Sequence, residues 1–263
     1  MGFIGGHTGR MLECLTHDEN VTTNFVHIHG ETRSNLTIID SEQNHITTIT
    51  QSGPKISREE LEIFLDRFKK MARISNVIII SGSIPPGIPE NIYAALIDIA
   101  NKENKPCILN CPGKAFEMGV EAGPLVAYPD VRGIPEFYSE NINSLNGLFS
   151  AGEKIININP KIELVILSKP SIQEIVSVTK SGHYDIEIED IKMTNLYGFS
   201  DSITGGIAYG LTHDHNLLES LKIGLSAGIV KLESIKKYNA DLNEIVNEVK
   251  RVKMHSILNK KKE

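Results

Sequence analysis

Gly198-Phe199-Ser200-Asp201-Ser202 puts a carboxylate and two hydroxyls at the point where an apolar helical pattern, residues 203–211, begins. The first N–H groups of a helix have no internal partner and carry partial positive charge, so such a start suits a phosphate. A carboxylate in the same place can take a proton from an attacking hydroxyl. Asp201 and Ser202 also have the chemistry of plain helix caps, and the motif alone leaves both readings open. A second candidate, Ser81-Gly82-Ser83-Ile84-Pro85-Pro86-Gly87, follows the apolar run Ile78-Ile79-Ile80. A stiff Gly/Pro loop at the carboxyl end of a parallel strand is where open α/β sheets bind ligands, though it also serves as a connection. The third is Gly30-Glu31-Thr32-Arg33-Ser34-Asn35. Arg33 is either a bidentate phosphate ligand or a surface arginine on an edge strand.

These residues need elements to hold them. Residues 1–6 read as the end of a strand running into a glycine turn, and 8–15 as a short helix with Leu12 and Leu15 on one face. Over 21–50, Val26, Ile28, Leu36, Ile38, Ile39, Ile46 and Ile49 interleave with polar residues. That pattern predicts several short strands in a sheet with one face in water. Ser57 and Glu60 form a capping box opening a helix through Leu61, Phe64, Leu65 and Phe68. Strands and helices then alternate, with strands at 76–80, 107–109, 125–128 and 164–167 and a helix from Pro89. The first of these strands, wholly apolar, is expected to be covered on both faces. A hairpin follows at 174–188, and helices at 203–211, 217–234 and 242–252. Repeated β-α units predict a mostly parallel sheet between helix layers, with the 21–50 sheet as an appendage.

Composition narrows the function classes. The 263 residues carry 27 basic and 33 acidic side chains, a net charge of −6, which argues against a nucleic-acid binder held by a basic field. The basic run from Lys250 to Lys262 is expected to be a solvated, fraying end. No apolar run reaches the roughly 18 residues of a membrane span. Three cysteines are too few for a disulfide framework, so a reducing cytoplasm is expected. Cys107 and Cys111 flank a buried strand and read as core. His27 and His29 share a strand face without an evident third metal ligand. Gly224-x-x-x-Gly228 suggests close helix packing, and His213-Asp214-His215 a loop between helices.

The order Gly-Phe-Ile-Gly-Gly-x-Thr-Gly, Gly-Glu-Thr-Arg-x-Asn, Ser-Gly-Ser-x-Pro-Pro-Gly and Gly-x-x-Asp-Ser resembles the PfkB (ribokinase-like) sugar kinases. Within them it is similar to the 1-phosphofructokinase/tagatose-6-phosphate kinase branch, from Gly2 to about Ser234. The resemblance implies an α/β/α sandwich spanning 1–263 as a single domain, with residues 21–50 as a β-sheet lid over the sugar. It implies Asp201 as catalytic base and Gly198, Phe199 and Ser200 with it as an anion hole. By the same match, Arg33, Asn35 and Ser83 lie near the substrate phosphate, and ATP and Mg²⁺ are the cofactors. No P-loop motif is present.

The chain also departs from the family pattern. It begins after the family's first strand and Gly-Gly-Lys-Gly-x-Asn loop, so it is expected to be N-terminally truncated, with weak turnover. The family's magnesium-linked Lys-Pro-Asn-x-x-Glu corresponds to Tyr128-Pro129-Asp130-Val131-Arg132-Gly133, where Asp130 alone keeps an oxygen. Ser168-Lys169-Pro170-Ser171-Ile172-Gln173 replaces a nucleotide-side Ser-Leu-Gly-x-x-Gly, and Lys231 stands where small residues line the adenine. Phe199 is expected to add bulk to the anion hole and Ser200 to restrict its backbone. Two functions follow. One is an ATP-dependent kinase for fructose 1-phosphate or tagatose 6-phosphate. The other is a degenerate relative that binds sugar phosphate or a partner without efficient catalysis. A homodimer through the lid is expected, from the apolar Val26, Ile28, Leu36 and Ile38.

Overall fold

The computed structural model describes residues 1–40, 45–129, 142, 144–168, 174–191, 198–234 and 240–257. It divides into two units, Met1–Ile74 with Ile84–Glu90, and Ser75–Ser83 with Asn91–Glu263.

The first unit contains β1 (Phe3–Ile4), α1 (Gly6–Asp18), β2 (Val26–His27), β3 (Leu36–Asp40), β4 (His45–Ile49) and α2 (Arg58–Ile74). Both long helices start on a glutamate from elsewhere in the chain or from their own third position. Glu31 accepts the His7 and Thr8 N–H groups at the start of α1. At α2 the expected capping box forms: Glu60 N–H donates to Ser57 Oγ, and Glu60 accepts the Ser57 N–H. The other Glu60 oxygen accepts the His29 N–H, tying α2 to the chain just past β2. Phe64 and Phe68 bury one face of α2, with Phe64 4.9 Å from Phe3 between ring centroids.

The 21–50 segment is not one sheet. β2 pairs parallel with β1, Phe3 opposite Val26, while β3 and β4 form a separate antiparallel hairpin with Leu36 opposite Ile49. Val26 and Ile28 are therefore buried, and of the expected outer apolar face only Leu36 and Ile38 are exposed, joined by Ile49. Alternation identified strands correctly but could not say which partner each strand takes.

The second unit holds β5 (Ile78–Ser81), α3 (Ile92–Lys102), β6 (Cys107–Asn110), α4 (Gly113–Glu121), β7 (Val126–Ala127), α5 (Leu145–Ile156) and β8 (Leu164–Ser168). Then come β9 (Ile175–Thr179), β10 (Gly182–Ile188), α6 (Phe199–Thr212), α7 (Leu217–Glu233), α8 (Leu242–Glu248) and β11 (Val252–Ile257). Among the described residues seven strands form one sheet in the order β11-β10-β9-β8-β7-β6-β5. Strands β5 to β8 are parallel and β9 to β11 antiparallel. Right-handed crossovers that always step the same way along a sheet leave α3, α4 and α5 on one face. On the other, Ile108, Val126, Leu164 and Ile166 pack with Ile203, Ile207, Leu221 and Leu225 of α6 and α7. The result is the expected three-layer α/β fold. The expected close approach of the last long helices is also present: a methyl added to Gly206 would come 2.6 Å from the Cα of Gly224.

Two further expectations fail. β5 is buried on alternate residues only, Ile79 being 43% exposed, because this strand forms the margin of the sheet. Among the described residues the last element is β11, where a helix to residue 252 was expected; residues 258–262 of the basic run expected to fray lie outside the described residues. β11 pairs antiparallel with β10, Val252 opposite Ile188, and its Val252–Met254 alternation is masked in sequence by lysine and histidine neighbours.

Candidate active site

Gly198 is the N-cap of α6, at φ +79°, a left-handed angle that costs a side-chain-bearing residue about 1–2 kcal/mol. Asp201 sits in the first turn rather than at the cap, and its exposed carboxylate has no hydrogen bond or ion pair among the described residues. The plain capping reading of Asp201 therefore fails, and the carboxylate stands in the first turn beside helix N–H groups that have no partner within the helix. Phe199 does not crowd the helix start. It is 4% exposed, and its ring packs over Gly228, where an added methyl would meet it at 2.7 Å. Ser200 adopts a helical conformation that suits any residue, so the special backbone angle falls on Gly198 alone. Lys231 lies one turn beyond Gly228 on α7, its Cε 3.0 Å from where a Gly198 methyl would stand. It is half-buried, so a cationic side chain flanks the start of α6.

The carboxyl ends of the parallel strands gather the other candidates of this unit, and α6 packs across β5 and β6. Ser168 is the last residue of β8, and the loop after β5 carries Ser83. Gly82, at φ +90°, turns this loop, donating its N–H to the Asn110 carbonyl at 3.2 Å and accepting from the Tyr93 hydroxyl at 3.1 Å. Burial, helped by Cys111, pushes the Tyr93 hydroxyl up to about 12, so it remains a donor. Cys107 and Cys111 are core residues, as expected, and burial pushes each thiol up to about 12. Asn110 itself was missed in sequence, although a lone amide ending the apolar run Cys107-Ile108-Leu109 is a signal of a polar partner. Its Nδ2 donates to Thr204 Oγ1 at 3.0 Å and, at the long limit of 3.5 Å, to the Ser200 carbonyl.

Arg33 and Asn35 belong to the first unit and lie exposed between β2 and β3, not within a strand. Asn35 Oδ1 accepts the Gln51 N–H while Gln51 Oε1 accepts the Ser34 N–H, continuing the hairpin beyond β3 and β4. A methyl at Gly53 would sit 3.9 Å from Arg33 Cδ and from Pro85 and Pro86, so Gly53 adjoins both Arg33 and these prolines. Asp130 and residues 169–173 fall outside the described residues.

Residues 1–242 match the family described as pfkB family carbohydrate kinase. The chain belongs to this family. Among pfkB relatives it is 26% identical over 228 residues to the 1-phosphofructokinase of Bacillus subtilis, covering 87% of this chain and 73% of that one. The solved structure of a possible 1-phosphofructokinase from Thermotoga maritima superposes with a TM-score of 0.88 at 29% identity, over 97% of this chain and 81% of the other. Phosphofructokinase-2 from Escherichia coli, in its tetrameric inhibited form, shares the fold at a TM-score of 0.82 and 22% identity, over 94% and 79%. The pfkB assignment makes the chain a carbohydrate kinase, a phosphotransferase. Among the described residues no helix is long and apolar enough to cross a membrane.

Proposed function

We propose that this protein transfers the γ-phosphoryl group of ATP to a hydroxyl of a ketohexose phosphate, fructose 1-phosphate or tagatose 6-phosphate, giving the bisphosphate. Asp201 takes the hydroxyl proton as the oxygen attacks phosphorus, and the bond to the ADP oxygen breaks. The N–H groups of the first turn of α6, behind Gly198, hold the charge that builds on the moving phosphoryl group. By the family resemblance, Arg33, Asn35 and Ser83 serve the phosphate already on the sugar, and Ser168 and Lys231 the nucleotide. The observation carrying this reading is the position of Asp201, exposed and without a partner among the described residues, in the first turn of a helix whose cap is another residue.

Mg²⁺ accompanying ATP would neutralise phosphate charge. Asp130, the residue the family resemblance offers it, lies outside the described residues. Among those described, no group of three His, Cys, Asp or Glu side chains is placed to hold a metal ion. The β3–β4 hairpin serves as the lid, and its exposed Leu36, Ile38 and Ile49 form the contact of a homodimer. Light scattering giving a monomer at micromolar concentration would argue against that contact. The buried thiols suit a reducing cytoplasm.

One observation favours a second reading, that of a sugar-phosphate binder with little turnover: a lysine, Lys231, lies against Gly198 where the family resemblance expects a small residue. A calorimetric titration with ATP and Mg²⁺ separates the two. Heat of binding, followed by ADP release on adding fructose 1-phosphate or tagatose 6-phosphate, supports the kinase. Binding of sugar phosphate with no response to ATP supports the second reading.

A further inference from the structure

Asn110 ends β6, a strand buried along its whole length, and is itself 8% exposed. Burying a primary amide there is costly unless it is hydrogen-bonded. Among the described residues its side chain is held by the first turns of α6. Asn110 Nδ2 donates to Thr204 Oγ1 at 3.0 Å and to the Ser200 carbonyl at 3.5 Å. Thr204, 2% exposed, donates its own hydroxyl to the same carbonyl at 2.8 Å. The Asn110 main-chain carbonyl accepts the Gly82 N–H, which fixes the turn leading to Ser83.

The Ser200 carbonyl shares a rigid peptide plane with the Asp201 N–H, and in a trans peptide the two point in opposite directions. Two donors on that carbonyl therefore set the direction of one of the unsatisfied N–H groups at the start of α6. They also polarise the peptide, making that N–H a better donor. The Cα of Asp201 is carried by the same plane. A threonine bonding back to the carbonyl four residues earlier is common in helices. An asparagine reaching from a strand to the same atom is a specific tie.

We propose that Asn110, acting through Thr204 and the Ser200 carbonyl, is a positioning residue for phosphoryl transfer, aligning the first turn of α6 with the Ser83 loop. The inference rests on the reading of that turn as the anion site. It adds a group that touches neither sugar nor nucleotide.

The test compares Asn110→Leu, Thr204→Val and Thr204→Ser in the whole chain, by steady-state kinetics well below each melting temperature and by hydrogen exchange at residues 199–204. Asn110→Leu and Thr204→Val should each lower kcat by about tenfold to a hundredfold, the scale of a misplacement near 1 Å. KM for the sugar phosphate should move by less than about threefold, a smaller change than the loss expected in kcat. Exchange at 199–204 should quicken while that in α7 is unchanged, and Thr204→Ser, which keeps the hydroxyl, should restore both readouts. The double variant should be no worse than the poorer single one. Lowered stability with kcat and exchange at the wild-type values would overturn the proposal. A wild-type chain without transfer to either sugar phosphate would instead sink the reading of the site. Exchange would then still decide the tie, since 199–204 unchanged in both Asn110→Leu and Thr204→Val would refute it.

Discussion

Asp201 differs from an ordinary first-turn aspartate in that no described neighbour uses it: Gly198 is the cap, and no described donor reaches its carboxylate. Asp201→Asn should therefore leave the melting temperature nearly unchanged while turnover falls by about a hundredfold or more. A variant that keeps its rate, or loses its fold, would show that the carboxylate is not the base. Phe199 makes the opposite case. Sequence suggested that its bulk obstructs the anion hole, but the ring lies in the core over Gly228. Phe199→Ala should then cost about 3–5 kcal/mol in urea unfolding rather than raise activity. Greater activity with unchanged stability would restore the obstruction view. The types and spacing of Asp201 and Gly198 were legible because a helix start has fixed chemistry. The direction of Phe199 was not, because it depends on a glycine in another helix.

At the scale of elements, helix starts were the most readable features and strand partners the least. Ser57 and Glu60 predict their own capping box, since every atom involved lies within one turn. The Ser57 N–H, against the effect of burial and with the His29 N–H assisting, holds the Glu60 carboxyl below the usual glutamate value. A carboxylate with a lowered folded value stabilises fully above its unfolded value, about 4.3, and that contribution is lost as the pH falls through the folded value. Glu60→Gln should accordingly flatten the acid side of the melting-temperature profile, between roughly pH 5 and 3, with little change in its shape near neutrality. An unaltered acid limb would show that the capping box does not report on folding. β11 was illegible because its pairing with β10 spans the whole C-terminal helical region. Arg251 fastens it there, donating to Glu233, Glu248 and the Glu189 and Asp190 carbonyls. The Glu233 hydrogen bond is the largest cause raising its affinity for the proton further. Arg251→Ala should destabilise the second unit by about 1.5–3 kcal/mol, measured by denaturant midpoint. A change within experimental error would mean that strand pairing alone holds β11.

Across the whole molecule, β-α alternation announces the layered fold, since each parallel strand must be followed by a covering helix. It does not announce where the parallel run stops, at β8, or that β5 forms a margin with Ile79 exposed. The candidate site was legible as separate motifs. Ser83, Ser168, Asp201 and Lys231 belong to one unit and Arg33 and Asn35 to the other. Asn110, the tie between two of those motifs, escaped notice because its meaning lies in contacts ninety or more residues away in sequence. The measurement that tests the central claim most directly is ADP release by the purified chain with ATP, Mg²⁺ and fructose 1-phosphate or tagatose 6-phosphate, run beside Asp201→Asn. The account predicts release that depends on the sugar phosphate and disappears in the variant. Release that is independent of the sugar phosphate, or equal in the two proteins, would contradict it.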